Sequence, residues 1–278
     1  DGVHLGHQSV IDRARRAGQP LGIVTFEPHP RQHFAPDAPT FRLMNAEARA
    51  NRLAKLGVQS LFELPFDAAL AGLSPEAFAR EVLAEGLGVA HVVVGSDFCF
   101  GKGRKGTAAD LQALGLRHGF RTTIATLVQV GGQDISSTAV RDALSDGRPR
   151  DAAAMLGHWH RIEGAVIHGE KRGRELGYPT ANMSVAGLHL PRLGVYAVRA
   201  DVLTGPQAGS YLGAASLGVR PQFGGAVPNL ETFIFDFKGD LYGHHLSVAL
   251  LDYHRPEMKF DGLQGLLDQM AADCETAR

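Results

Sequence analysis

Over residues 1–157 the apolar positions follow two alternating rhythms. Val10, Ile11, Ala14 and Ala17 recur at the spacing of one helical face, and Gly18 is placed to end that helix. Residues 21–26 form a short apolar run of the kind a buried strand needs. Asn45 can cap a helix that runs through Arg49, Leu53 and Leu56 to Gly57, and residues 59–64 then read as strand. Ser74-Pro75-Glu76 combines a capping hydroxyl, a first-turn proline and an early acid, which starts a helix ending near Gly86. Residues 91–94 read as strand. Thr107 and Asp110 have capping-box spacing before a helix that ends at Gly119, residues 121–130 are strand-like, and Ser137 can cap the next helix. Strands separated by helices of this length predict a parallel sheet with helices on both faces, whose ligands sit at the carboxyl ends of the strands.

The rhythm changes near Gly157. Residues 162–168, 195–202, 211–217, 230–237 and 246–253 are strand-like and are separated by glycine and proline. In the fourth run Phe233, Phe235 and Phe237 alternate with Ile234 and Asp236, which predicts that Glu231 shares a face with three phenylalanines. Short strands at this spacing predict a closed antiparallel barrel. A helix from Asp261, with Leu263, Leu266, Leu267 and Met270 on one face, completes the chain. The boundary between the two patterns falls at residues 150–160, giving domains 1–155 and 156–278.

Composition narrows the function. Twenty-eight basic residues against 29 acidic ones leave a charge of −1, so no basic field for nucleic acid or an acidic membrane is expected. Phosphate chemistry must then be local. No apolar run reaches the length of a membrane span. Two distant cysteines, Cys99 and Cys274, fit a reducing cytoplasm better than a disulfide framework or a zinc site. The chain starts at Asp1 inside what reads as a strand-to-helix turn, so a preceding strand is expected to be missing.

Several short motifs carry chemistry. His4-Leu5-Gly6-His7 puts two imidazoles at a helix start, where free N–H groups and the helix dipole favour phosphate; the same pair could be a surface feature. Ser136, Ser137 and Thr138 open another helix with Arg141 one turn in, a donor set suited to a triphosphate. Capping alone would account for one of those hydroxyls. Residues 101–106 match Gly-x-Gly-x-x-Gly, but they lie too far from a strand and lack the acidic partner of a dinucleotide site, so they read as a mobile basic loop.

In the second half, Gly169, Gly173 and Gly177 flank basic residues including Arg174, letting backbone N–H groups approach a diphosphate. A plain glycine-rich hairpin followed by a proline turn at Pro179 is the structural alternative. Thr180 and Asn182 set a hydroxyl and an amide carbonyl on the same side of an extended segment, both oxygen ligands that Mg2+ accepts beside nucleotide phosphates. Glu231 supplies a candidate base, with Asp236 its competitor on the opposite face.

Taken in order, Asp1-Gly-Val-His-Leu-Gly-His-Gln8, Thr25-Phe-Glu-Pro-His-Pro30, Val94-Gly-Ser-Asp-Phe-Cys-Phe-Gly101 and Ile135-Ser-Ser-Thr-Ala-Val-Arg141 resemble the FMN adenylyltransferase domain of prokaryotic bifunctional riboflavin kinase/FAD synthetases, a Rossmann-like nucleotidyltransferase fold. Pro179-Thr-Ala-Asn182, Gly194-Val-Tyr-Ala-Val-Arg199, Leu217-Gly-Val-Arg-Pro221 and Leu230-Glu-Thr-Phe-Ile-Phe-Asp-Phe237 resemble the riboflavin kinase barrel of the same enzymes. The resemblance implies ATP as co-substrate and Mg2+ as metal. It implies phosphorylation of riboflavin to FMN with release of ADP, then adenylylation of FMN to FAD with release of pyrophosphate. His4 and His7 would lie on the phosphates, Gly6 and Asp97 near them, and Ser136, Ser137, Thr138 and Arg141 on the triphosphate. Glu231 would activate the ribityl 5′-hydroxyl, Thr180 and Asn182 would contact metal and nucleotide, and Arg255 and Glu257 would lie on the flavin side. Ala139, Gln222 and Phe233 depart from the arginine, threonine and histidine frequent in relatives. Activity as a kinase alone, or non-catalytic flavin binding, stands as the alternative.

Overall fold

Side-chain caps fix several helix starts. Asn45 Oδ1 accepts from Ala48 N at 2.8 Å, Ser74 Oγ from Ala77 N at 3.1 Å, and Thr107 forms a full capping box with Asp110. The computed structural model describes residues 1–126, 129–130, 133–169, 176–222 and 225–278. In chain order its principal elements are α1 (Leu5–Arg15), β1 (Gly22–Glu27), α2 (Ala46–Lys55), β2 (Ser60–Pro65), β3 (His91–Gly95), α3 (Ala108–His118), β4 (Arg121–Ala125), α4 (Ser137–Ser145), α5 (Pro149–Leu156), β5 (Arg161–Ala165), β6 (Thr180–Ser184), β7 (Gly194–Val202), β8 (Gly209–Gln222), β9 (Gly225–Ile234), β10 (His245–Arg255) and α6 (Leu263–Ala277). They form two compact units interleaved in sequence. One holds residues 3–39 and 52–135, the other residues 1–2, 40–51 and 136–278.

In the first unit the strands run parallel, β1 beside β2 and β3 beside β4. Helix α1 packs on β3 and β4, and α3 packs on β4. The core gathers Phe78, Leu83, Val94, Phe100, Leu111 and Phe120. Two expectations need correction here. The strand expected over 121–130 stops at Ala125, and residues 129–130 pair instead antiparallel with 133–134. The loop expected to be mobile at 101–106 is pinned: Cys99–Phe100 pairs with Gly106–Thr107, and Lys102 N donates to Leu73 O at 2.7 Å.

In the second unit six antiparallel strands run in the order β6-β9-β8-β7-β10-β5. A bridge between Ile167 and Asn182 brings the two ends of that sheet together, so the barrel is nearly closed. Alternate residues point inward, as the two-residue strand period requires. Met183, Tyr196, Val198, Ala200, Leu217, Leu230, Leu246, Val248 and Leu250 fill the interior. The interior is therefore mainly apolar, and the charged side chains are left to the outer wall. Helix α6 packs on β7 and β8. Helix α5, with Pro149 in its first turn and left-handed Gly157 at its end, occupies a stretch that reads from sequence as a junction. It packs with α4 around Leu43, Val140, Leu144 and Leu156.

Burial sets an acid limit on this unit. His160 is buried, and desolvation, then the neighbouring His158 and His189, lowers its pKa to about 3. Between that value and the ordinary 6.5 the unfolded chain binds a proton that the folded chain refuses, so stability is full above pH 6.5 and falls below it. The expected loss is roughly 2 kcal/mol between pH 6.5 and pH 5. Urea titrations followed by the single tryptophan, Trp159, should show it, and His160→Gln should flatten the slope. An unchanged slope in that variant would remove His160 as the cause.

Candidate active sites

The outer wall of the barrel collects the kinase candidates. Register pairs Asn182 with Glu231 and Thr180 with Phe233 across β6 and β9, and pairs Glu231 with Ser216 across β9 and β8. Directly paired residues project to the same side of a sheet. Thr180, Asn182, Glu231 and Ser216 thus share one face, while Ala181, Met183, Leu230 and Thr232 turn into the core. Asn182 is only 5% exposed. Its Nδ2 donates to Thr180 O at 3.2 Å, and its Oδ1 accepts from Asn229 Nδ2 at 2.9 Å. A Cβ on Gly169 would lie 2.5 Å from that amide nitrogen, so only glycine lets the chain pass over Asn182 this closely. Gly177 has a left-handed backbone with φ +83°, and exposed Pro179 leads into β6. Gly173 and Arg174 lie outside the described residues.

Three details differ from the sequence expectation. Strand β9 ends at Ile234, and Asp236 takes a left-handed turn conformation, so the alternation does not reach Phe237. Phe237 packs with Tyr211 against the core, while Phe235 meets the Phe233 ring edge-on at 5.8 Å. Asp236 is exposed, lies beyond the end of β9 and pairs with Arg278 at 3.2 Å. Arg255, expected on the flavin side, instead grips Asp273 of α6 through Nε at 2.9 Å and Nη2 at 2.5 Å. Glu257 does reach the outer wall: a Cβ on Gly218 would lie 2.2 Å from its Oε1, and Gly218 faces Asn229 on β9.

The other candidates are those expected to serve adenylyl transfer. His4 precedes α1 in extended conformation and is buried, and its ring lies 3.8 Å from that of His7. Gly6 leaves room for this close approach, since a Cβ there would sit 3.0 Å from the His4 ring. Burial above all holds the His7 pKa well below the ordinary imidazole range. His7 is therefore neutral at physiological pH. Its Nδ1 is buried with no hydrogen-bond partner among the described residues, a nitrogen suited to a polar ligand atom. Asp97 is exposed in the turn after β3, at the carboxyl end where parallel strands present ligands.

In the barrel unit, Ser136 rather than Ser137 caps α4, accepting from Ala139 N at 3.1 Å. Ser137 Oγ donates to Asp1 O at 3.0 Å, and Thr138 is exposed. Arg141 is mostly buried: Nη2 meets Asp1 Oδ2 at 2.8 Å and Nε donates to Phe41 O at 2.5 Å. Here the guanidinium binds its own chain.

Comparison with known proteins gives each half of the chain a family match. Residues 1–139 match the family model for FAD synthetase, and residues 156–278 match that for riboflavin kinase. The bifunctional riboflavin kinase/FMN adenylyltransferase of Pseudomonas fluorescens is 39% identical over 100% of this chain and 89% of its own length. That of Escherichia coli K12 is 38% identical with the same coverage, and that of Bacillus subtilis 35%. The chain belongs to the bifunctional riboflavin kinase/FMN adenylyltransferase family. It is a transferase with both activities, and ATP is the co-substrate of each. A crystal structure described as a macrolide-efflux protein from Streptococcus pneumoniae matches with a TM-score of 0.85 at 34% identity, covering 100% of this chain and 91% of that one. Among the described residues of this family member, no helix is long and apolar enough to cross a membrane.

Sequence reasoning missed Asn229, Ser216 and Tyr178 on the kinase wall. Asn229 stands two residues before Glu231, so strand period alone would have put both on one face. Ser216 needed the β8–β9 register. Tyr178, whose ring meets Phe233 edge-on at 5.2 Å, needed the path of the chain into β6.

Proposed function

We propose that residues 156–278 phosphorylate the ribityl 5′-hydroxyl of riboflavin with Glu231 as base, and that residues 1–155 adenylylate the FMN so formed. The observation that carries the kinase reading is the shared outer face of Thr180, Asn182 and Glu231. Glu231 takes the hydroxyl proton as the oxygen bonds to the γ-phosphorus of ATP and ADP leaves. Thr180 and Asn182 offer neutral oxygen donors, the type Mg2+ accepts, and Asn182 Oδ1 keeps a second lone pair beyond the one used by Asn229. Bound Mg2+ would neutralise charge on the phosphates. Glu257 is proposed on the flavin side. Arg255 is assigned there only indirectly, as the anchor of the segment that carries Glu257.

In adenylyl transfer the FMN phosphate attacks the α-phosphorus of ATP and pyrophosphate leaves. Neutral His7, with the His4 ring close beside it, supplies hydrogen bonds to the charge developing on the phosphates, and Gly6 and Asp97 flank the nucleotide. For Ser136, Ser137, Thr138 and Arg141 the support is the motif alone. The two free cysteines favour a cytoplasmic setting.

Chromatography of flavins after incubation with riboflavin, ATP and Mg2+ tests both halves. The parent protein should yield FMN and FAD. His7→Ala should still make FMN while FAD formation falls by about a hundred- to a thousand-fold, the usual cost of one lost transition-state donor. Unimpaired FAD formation in that variant would remove His7 from the reaction, and no FMN from folded parent would sink the kinase assignment to this barrel.

A further inference from the structure

One polar side chain on the kinase wall has no part in the chemistry assigned above. Asn229 faces Ser184 of β6 and Gly218 of β8, and its Nδ2 donates to Asn182 Oδ1 at 2.9 Å. The direction of this bond is dictated from the other end of the Asn182 amide. Thr180 O is a backbone carbonyl and can only accept, so at 3.2 Å it requires the NH2 end of Asn182. The oxygen end then faces Asn229, which must answer with a donor. Turning the amide over would bring two acceptor oxygens within 3.2 Å of each other. At 5% exposure, with Gly169 packed across the amide, little water could relieve that clash.

We propose that Asn229 is a positioning residue for the kinase step, holding the Asn182 carbonyl oxygen in the orientation that serves the metal–nucleotide complex. The proposal rests on the reading of Asn182 as a metal and nucleotide contact. A side chain of the same shape without a donor should undo it. Asn229→Asp presents a carboxylate to Asn182 Oδ1, so the amide is repelled or turned over.

The test compares the parent with Asn229→Asp, Asn229→Ala and Asn182→Ala in three measurements. Riboflavin phosphorylation gives KM for ATP and kcat separately. Calorimetry gives the affinity for ADP with and without Mg2+, independent of turnover. Adenylylation of supplied FMN reports that the fold survives. In Asn229→Asp, kcat/KM for ATP is expected to fall about 10- to 100-fold, the size of a lost hydrogen bond to a buried amide made worse by repulsion. Most of the change should appear in KM, the Mg2+-dependent gain in ADP affinity should shrink in parallel, and FMN adenylylation should hold. Acidification should narrow the gap between Asn229→Asp and the parent, because a protonated carboxyl regains a donor, whereas the gap for Asn229→Ala should stay constant.

Impaired Asn182→Ala beside Asn229→Asp within twofold of the parent in KM and ADP affinity would overturn the proposal. A fully active Asn182→Ala would instead overturn the underlying reading of Asn182. Should Asn229→Asp not fold, Asn229→Ala decides by calorimetry: a parental response to Mg2+ refutes the positioning role, and a weakened one supports it.

Discussion

Replacing Glu231 with Gln should lower riboflavin phosphorylation by about a hundred- to ten-thousand-fold while adenylylation of supplied FMN continues at the parental rate. The substitution keeps size and hydrogen-bonding capacity but removes the ability to accept the ribityl proton. Glu231 is partly buried on the wall where register sets it opposite Asn182 and Ser216, so the exchange disturbs no apolar packing. Because FMN must be made before it can be adenylylated, riboflavin-fed reactions should lose both FMN and FAD, and FMN-fed reactions should still yield FAD. Chromatography of the two reactions distinguishes these cases. A variant that phosphorylates riboflavin within tenfold of the parent would show that another group takes the proton, or that none needs to.

The largest effect on stability is expected at Asp273. This carboxylate is 8% exposed and accepts from both Nε and Nη2 of Arg255, and from Gln269 Nε2 at 2.9 Å. A buried pair adds little over an apolar one, but removing a single partner leaves an uncompensated charge, at a cost of about 3–5 kcal/mol. Asp273→Ala leaves the guanidinium in that position and should release α6 from β10. At about 2–4 °C per kcal/mol for a unit of this size, the melting temperature should drop by roughly 10 °C. The double replacement Asp273→Leu with Arg255→Met should recover much of the loss. If Asp273→Ala melts like the parent, the pair is not what holds the helix.

The sequence announces elements wherever a local signal suffices. Asn45, Ser74 and Thr107 each accept the cap hydrogen bond that their spacing predicts. Local signals fail where a distant partner decides. Nothing near Arg141 shows that Asp1, 140 residues away, occupies its guanidinium, and Arg255 likewise reads as a ligand contact until Asp273 comes into view. The alternation through Phe233, Phe235 and Phe237 looks continuous because a turn at Asp236 has no proline or glycine to mark it. Thr180, Asn182 and Glu231 were legible as chemistry because each has the right functional group, yet only the β6–β9 register shows that they share a face. Helix α5 was overlooked despite Pro149 and Gly157, whose spacing suits a short helix as well as it suits a linker.

The interleaving of the two units bears on how such an enzyme could be divided. The kinase motifs all fall after residue 156, so a cut there looks clean on paper. Yet residues 1–2 and 40–51, with α4 and α5, are packed as part of the barrel unit. Severing them would leave Leu156 without Leu43, Val140 and Leu144, and would strip Asn51 from the buried carboxylate of Glu163, to which it donates at 2.7 Å. A gene split at that point would yield a half with every catalytic letter intact and a sticky, unclad flank. Fission or exchange of the kinase half therefore has to carry those borrowed pieces with it.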